Sequence, residues 1–239
     1  MSNAILSARN VRKTYGGGSG IFEALRGVTL DIHEGETVAI AGKSGSGKST
    51  LMHLLALLDQ PTDGTILLDG MDTADMNRRR INRTRNKTFG FIFQQFFLNP
   101  HQSVLENVML PLKIGGLPPR ARRERAMSTL RELDLDDKAR NRGTDLSGGQ
   151  KQRAAIARAV VSNPRVIFAD EPTGNLDSVT GEVVNEILFN LNREQGITLV
   201  FVTHDADLAE RCDRRVTISD GRITHSEGES HGMREVLAS

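Results

Sequence analysis

The stretch from Ala41 to Thr50, AGKSGSGKST, constrains this chain more than any other, because it lies between an apolar run (37–41) and an amphipathic one (51–58). Gly42, Gly47, Lys48 and Ser49 satisfy the pattern GxxxxGK[ST], whose required setting is a strand before and a helix after. Each residue type has a task if a nucleoside triphosphate occupies the loop. Glycines let backbone N–H groups curl around phosphate oxygens, and the helix N-terminus adds positive potential. Lys48 supplies a point charge for the outer phosphates, and the Ser49 hydroxyl faces Mg²⁺. Ser44, Gly45 and Thr50 belong to the same phosphate-binding stretch. A merely flexible Gly/Ser turn is the competing reading, and the flanking strand and helix patterns count against it.

Residues 4–13 and 24–32 alternate apolar and polar side chains, which predicts an antiparallel opening sheet joined by the loop Gly16–Gly20. Tyr15, the only tyrosine, closes the first of these strands; a ring there either packs on the protein or stacks on a purine. A short strand is expected over 65–68, then a strongly basic helix over 78–87, read as a solvated face. The apolar strand 88–93 is interrupted by Gln94 and Gln95, a polar break that suits a strand end near a site. From Ser103 to about Asn141 the period is helical, including an Arg-rich helix opened by Pro118 and Pro119. Its Arg120, Arg122, Arg123 and Arg125 face solvent on the simplest reading, or lipid headgroups or an acidic partner on the alternatives.

Leu146–Gln150 reads LSGGQ and precedes the helical run 151–161. Ser147 can cap that helix while Gly148 and Gly149 leave backbone donors bare, so the segment is either a plain cap or a second anion-binding terminus. The apolar strand 166–169 ends in Asp170 and Glu171, two carboxylates at the edge where α/β sheets place ligands; an acidic turn is the alternative. Asn175, Leu176 and Asp177 lead into a long amphipathic helix over 179–194, and the apolar strand 198–202 ends at Thr203, His204 and Asp205. Strand and helix alternating with short links imply a mostly parallel sheet covered on both faces. The final strands, 215–219 and 222–224, flank an Asp220-Gly221 turn.

At 239 residues the chain suits one large domain or a core with a subdomain. A net charge of +1 with 26% charged residues fits a soluble globular protein and gives no sign of a nucleic-acid-seeking one. The single cysteine, Cys212, excludes an intrachain disulfide and reads as a small buried apolar residue. No apolar run reaches the roughly 18 to 20 residues that cross a bilayer, and residues 1–10 lack the apolar core of a signal peptide. Membrane association is therefore expected to run through a partner.

Taken together, the segments resemble the nucleotide-binding subunit of ATP-binding cassette (ABC) transporters from Ile5 to about Thr224. The resemblance is carried, in family order, by Tyr15 at the adenine-stacking position, GKSGSGKST, Gln94 after FGFIF, LSGGQ, VIFADE, and His204 in FVTHD. ADEPTGNLDS (169–178), FGFIFQ and the loop-bearing first hairpin are similar to the branch of lipoprotein-release, macrolide-export and cell-division ATPases. Lys43 departs from the less charged residue of many relatives, and Asn99–Gln102 from the leucine-rich wording of that branch.

The resemblance implies an α/β P-loop NTPase core with a mostly parallel sheet, an antiparallel β subdomain and an inserted α-helical subdomain. One ABC ATPase domain is expected, with its core at about 1–95 and 160–225, helical subdomain at about 96–159 and a short C-terminal extension at about 226–239. It further implies a homodimer with two ATP, each held between the cradle of one copy and Ser147, Gly148, Gly149 and Gln150 of the other. Ser49, Gln94 and Asp170 order Mg²⁺, Glu171 polarises the attacking water, His204 contacts the γ-phosphate and Asp177 couples the two sites. The expected setting is cytoplasmic, peripheral on the inner face of the cell membrane, against an integral permease subunit that receives the movement through 94–98 and 103–141. The same motifs also serve a signalling output to a cell-wall enzyme without cargo. A soluble ATPase acting on nucleic acid or ribosomes is disfavoured by the single cassette, the lack of a long coiled coil and the near-neutral charge.

Overall fold

In the computed structural model, which describes residues 4–16 and 20–228, the chain opens with strand β1 (Ala4–Tyr15) and returns as β2 (Phe22–His33). The two are antiparallel, pairing Leu6 with Ile32 and Tyr15 with Phe22. Part of the expected Gly16–Gly20 loop lies outside the described residues. Simple alternation does not hold along β1: Ile5, Leu6, Ser7 and Ala8 are all buried, and the ladder shifts register at several points. A half-buried strand pattern breaks down wherever both faces of the sheet are covered.

Strand β3 (Thr37–Ala41) is buried throughout. It delivers the chain to helix α1 (Lys48–Leu55), which buries Leu51, Met52, Leu54 and Leu55. Each such side chain contributes about 2 kcal/mol when removed from water. Strands β4 (Asp63–Leu68) and β5 (Met71–Asp72) complete an antiparallel sheet in the order β2-β1-β4-β5. Helix α2 (Arg78–Thr88) follows and buries none of its residues.

The chain divides into two compact units, residues up to Asn82 with those from Gly196 onward, and Arg83–Gln195. The second unit takes in the end of α2 from Arg83 and continues with β6 (Phe89–Phe93), α3 (Val104–Ile114), α4 (Pro119–Glu132) and α5 (Gly148–Val160). It closes with β7 (Val166–Asp170) and α6 (Ser178–Gln195), one residue longer at each end than its apolar pattern. β6 and β7 run parallel, with Phe93 beside Asp170. Phe168 lies edge-on to Phe89 at 5.4 Å and stacked on Phe91 at 5.9 Å. α3 starts on a capping box between Ser103 and Glu106. Its Asn107, 1% exposed, holds the 99–103 loop by accepting from the Asn99 N–H at 2.7 Å and donating to the Asn99 and Ser103 carbonyls. A buried amide needs such partners, and here the loop backbone supplies them.

The first unit resumes with β8 (Thr198–Val202), α7 (Ala206–Glu210), β9 (Arg214–Ser219) and β10 (Arg222–Gly228). β3 lies between β8 and β9, parallel to both, and β10 adds an antiparallel edge. Asp220 and Gly221 both have positive φ (48° and 73°), the geometry of a type I′ hairpin turn. The last strand runs four residues beyond the expected Thr224, across a register shift between Ile223 and His225. Beneath this sheet edge, Arg214 donates to Glu36 at 2.6 Å, and Glu36 is fully buried. A buried carboxylate is tolerated only with such a partner.

Candidate functional site

The first unit holds the phosphate cradle. β3 ends at Ala41, the loop turns through Gly42–Gly47, and α1 starts at Lys48. Gly42 (φ 151°) and Gly47 (φ 108°) are pressed against backbone: an added Cβ would lie 2.2 Å from the Ile218 carbonyl oxygen or 2.6 Å from that of Ala24. No other residue fits either position without moving a strand. The loop is tied further by the Gly221 N–H, which donates to the Ser46 carbonyl at 2.9 Å.

Lys48 Nζ donates to the carbonyls of Gly42 and Lys43, each at 2.9 Å, so its ammonium folds over the mouth of the loop. The N–H groups of Gly45, Gly47, Lys48 and Ser49 have no acceptor among the described residues. Bare donors at a helix start form an anion site. Ser44, Gly45 and Ser49 are exposed, and Thr50 is half-buried. His204, exposed, leaves β8 two residues past Val202, and Gly42 leaves β3 two residues past Ile40, the partner of Val202. The sheet register thus brings His204 and the cradle to one edge. Tyr15 stands at the end of β1 with its hydroxyl donating to Asp59 at 3.1 Å and Lys13 Nζ 5.0 Å from its ring centroid. Asp59 in turn accepts from Lys13 at 2.9 Å. Burial alone would raise the Asp59 carboxyl, but hydrogen bonds from Lys13, the Gln60 N–H and Tyr15, with the Lys13 charge, hold it below the usual carboxylate range.

The second unit brings Gln94, Asp170 and Glu171 to one edge, because Phe93 and Asp170 are paired in the β6–β7 ladder. Glu171 adopts φ 47°, a left-handed conformation that costs a non-glycine residue on the order of 1 to 3 kcal/mol and clusters at working sites. Asn175 Nδ2 donates to the Gln94 carbonyl at 2.8 Å and its Oδ1 accepts from Gln94 Nε2 at 3.4 Å. An added Cβ at Gly174 would lie 2.9 Å from the same Nε2.

Ser147 and Gln150 form a reciprocal capping box: Gln150 Oε1 accepts from the Ser147 N–H at 3.0 Å, and Ser147 Oγ accepts from the Gln150 N–H at 3.3 Å. Both ends of that box are occupied, which leaves Gly148 and Gly149 to present the open donors of α5. Gln152, fully buried one turn on, donates to the Pro172 carbonyl, tying this helix to the turn after Glu171. Asp177 caps α6 by accepting from the Thr180 N–H at 2.9 Å and hydroxyl at 2.6 Å, bonds that lower its carboxyl. Ser147–Gln150 and Asp177 line one open groove of about 560 Å³, whose wall carries Val179 and Val183, 76% and 52% exposed. Arg158 of α5 donates to the carbonyls of Phe96 and Phe97 at 2.9 and 2.6 Å. Phe97 is exposed and edge-on to Phe93 at 5.3 Å, while Phe96 and Leu98 are half-buried.

Asn175 and Asp59 carry no role in the sequence reading. Asn175 lies inside ADEPTGNLDS, where the carboxylates draw the attention, and Asp59 lies in no motif at all.

Residues 25–174 match the family described as ABC transporter. The chain is 44% identical over 219 residues to the lipoprotein-releasing system ATP-binding protein LolD of Syntrophus aciditrophicus, covering 92% of this chain and 98% of that protein. It is 47% identical to the macrolide export ATP-binding/permease protein MacB of Brucella melitensis, over 92% of this chain but only 34% of that protein. Among solved structures, the dimeric structure of MJ0796, a cassette from Methanocaldococcus jannaschii, aligns with TM-score 0.86 at 43% identity, covering 93% of this chain and 98% of that one. A dimeric post-hydrolysis state of the same cassette, bound to ADP and Pi, aligns equally well.

Proposed function

The chain belongs to the ABC transporter ATP-binding family and is an ATPase of that family, and from this premise we propose that two copies close head to tail on ATP and thereby drive a separate integral membrane subunit. Each nucleotide lies between the cradle of one copy and Ser147–Gln150 of the other. Lys48 and the loop N–H groups hold the outer phosphates, and Tyr15 stacks on the adenine. Gly148 and Gly149 cap the γ-phosphate with Ser147, and Asp177 links the two sites.

Phosphoryl transfer to water asks for charge neutralisation and an aligned nucleophile rather than covalent help from the protein. Glu171 polarises the water and His204 contacts the γ-phosphate. Ser49, Gln94 and Asp170 offer a hydroxyl, an amide and a carboxylate, the hard oxygen donors that suit Mg²⁺. Among the described residues no group of three or more His, Cys, Asp or Glu side chains is placed to hold a metal by itself. A Mg²⁺ shared with nucleotide phosphates needs only one or two protein ligands, so this donor set fits. When bound, the ion neutralises phosphate charge.

The observation that carries the reading is the open groove at the start of α5, an anion-ready terminus beside exposed Val179 and Val183. It has the character of half a site that a second copy completes. Hydrolysis then removes contacts that favour closure, and the dimer opens. The 94–98 loop, with exposed Phe97, and helices α3 and α4 pass the movement to the membrane subunit. The names of the relatives, a lipoprotein-releasing system ATP-binding protein and a macrolide export ATP-binding/permease protein, support an extruder-type membrane partner.

Purification of the chain from detergent-solubilised membranes of its own source tests the proposal. An integral membrane protein should accompany it in stoichiometric amount; recovery of the chain alone, all of it in the soluble fraction, would contradict the partner assignment.

A further inference from the structure

Helix α2 breaks the local rules for charge on a helix. Arg78, Arg79 and Arg80 fill its first turn with no acidic residue among them. This is the end where the helix dipole disfavours cations. Arg79, Arg83 and Lys87 recur at i, i+4 spacing and are all exposed, so like charges stand in one row. No acidic residue occurs from Met76 to Leu105. That stretch takes six of the 31 basic residues and none of the 30 acidic ones, leaving 25 against 30, a net −5, on the remainder. The net +1 of the whole chain conceals a segregation of charge.

Asp72 accepts from the Ala74 N–H at 2.8 Å, capping its own turn. Arg78, Arg79, Arg83 and Lys87 form no ion pair among the described residues. The other side of the helix is the anchored one: Ile81 and Thr84 are half-buried, and Asn86 donates to the Pro111 carbonyl at 3.2 Å. Local unfavourable choices that packing does not explain mark a functional surface.

The exposed row contains no apolar side chain. It therefore lacks the anchor that a protein interface centres on, and it lacks the face that an inserting amphipathic helix buries. Long-range attraction to dense negative charge remains, at about fivefold in binding per basic residue held near an anionic bilayer. We propose that α2 docks electrostatically on the anionic lipid headgroups of the membrane beside which the ATPase works, orienting it next to its membrane subunit. The proposal rests on the membrane-partnered reading above, yet vesicle binding needs no partner subunit, so the two fail separately.

The test pellets the full chain with vesicles of phosphatidylcholine alone or mixed with phosphatidylglycerol, over a range of salt. The wild type should bind only the mixed vesicles, and less as salt shortens the range of the charges. Arg78→Gln/Arg79→Gln/Arg83→Gln/Lys87→Gln should weaken binding on the order of several hundredfold with ATP hydrolysis in solution unchanged. Should that variant fold poorly, Arg79→Gln/Arg83→Gln alone should lose about 25-fold. The all-Lys counterpart should keep binding, as should Arg120→Gln/Arg122→Gln/Arg123→Gln/Arg125→Gln, which removes equal charge from α4. The proposal is overturned by absence of wild-type binding, by equal loss in the α4 variant, by loss in the all-Lys variant, or by capture of an oligonucleotide with no capture of vesicles.

Discussion

Asn175 grips Gln94 from two sides, donating to its backbone carbonyl at 2.8 Å and accepting from its side-chain amide at 3.4 Å. The strand-end glutamine is thereby fixed to the segment that follows Glu171. Asn175→Ala should leave ATP affinity nearly unchanged and lower the hydrolysis rate about tenfold, the value of one positioning hydrogen bond. Single-turnover rates beside a direct nucleotide titration check this; an unchanged rate would remove Asn175 from the site.

Glu171 sits at φ 47°, and the segment holds it there at a cost. Glu171→Gly should raise stability by about 1 kcal/mol, because glycine adopts that conformation without strain, while turnover collapses. Urea unfolding of the two proteins reads the first effect, and phosphate release the second. A destabilised variant would mean that the conformation stores no strain.

The order of elements was legible in the sequence because each apolar run is bounded by a motif or a turn: β3 by the cradle, β7 by Asp170 and Glu171, and the final hairpin by Asp220-Gly221. Burial was less legible. Ile5 to Ala8 are buried in succession, and Asn107, within an apolar helical run, organises a loop through hydrogen bonds that no period encodes. Likewise the motifs named Gln94 and Tyr15 but not the side chains that hold them. Asn175 and Asp59 act through contacts across 81 and 44 residues of chain, which only the fold brings together.

Asp59 and Asp31 set an acid limit on the first unit. Burial alone would raise the Asp31 carboxyl, yet hydrogen bonds from Ser7 and Arg9 and the charges of Arg9 and His33 lower it, as Lys13 and its neighbours lower that of Asp59. Depressed carboxyls contribute stability above their unfolded value, near pH 3.9, and lose it as pH falls through the folded value. Asp59→Asn should cost about 1 kcal/mol at pH 7, modest because the pair is partly exposed, and nothing once both forms are protonated. Urea midpoints of the two proteins across the acid range should converge; a constant gap would contradict the linkage.

Cys212 should resist alkylation in the folded state. The residue is half-buried rather than buried as expected, yet loss of solvent around the sulfur first, then the charge of Asp213, pushes its thiol up to about 12, and its Sγ lies 3.4 Å from the Leu208 carbonyl. The thiolate is the reactive form. Mass spectrometry should find no iodoacetamide adduct at neutral pH until denaturant is added; rapid labelling of the native protein would refute the assignment.

The central claim, that ATP is held between two copies and released by Glu171-assisted hydrolysis, is tested most directly by sedimentation of Glu171→Gln with and without MgATP. The account predicts a monomer without nucleotide, a stable dimer with two ATP per pair, and turnover slowed by at least roughly a hundredfold, the usual contribution of a positioned general base. A Glu171→Gln protein that stays monomeric with ATP bound, or hydrolyses it at the wild-type rate, would contradict it.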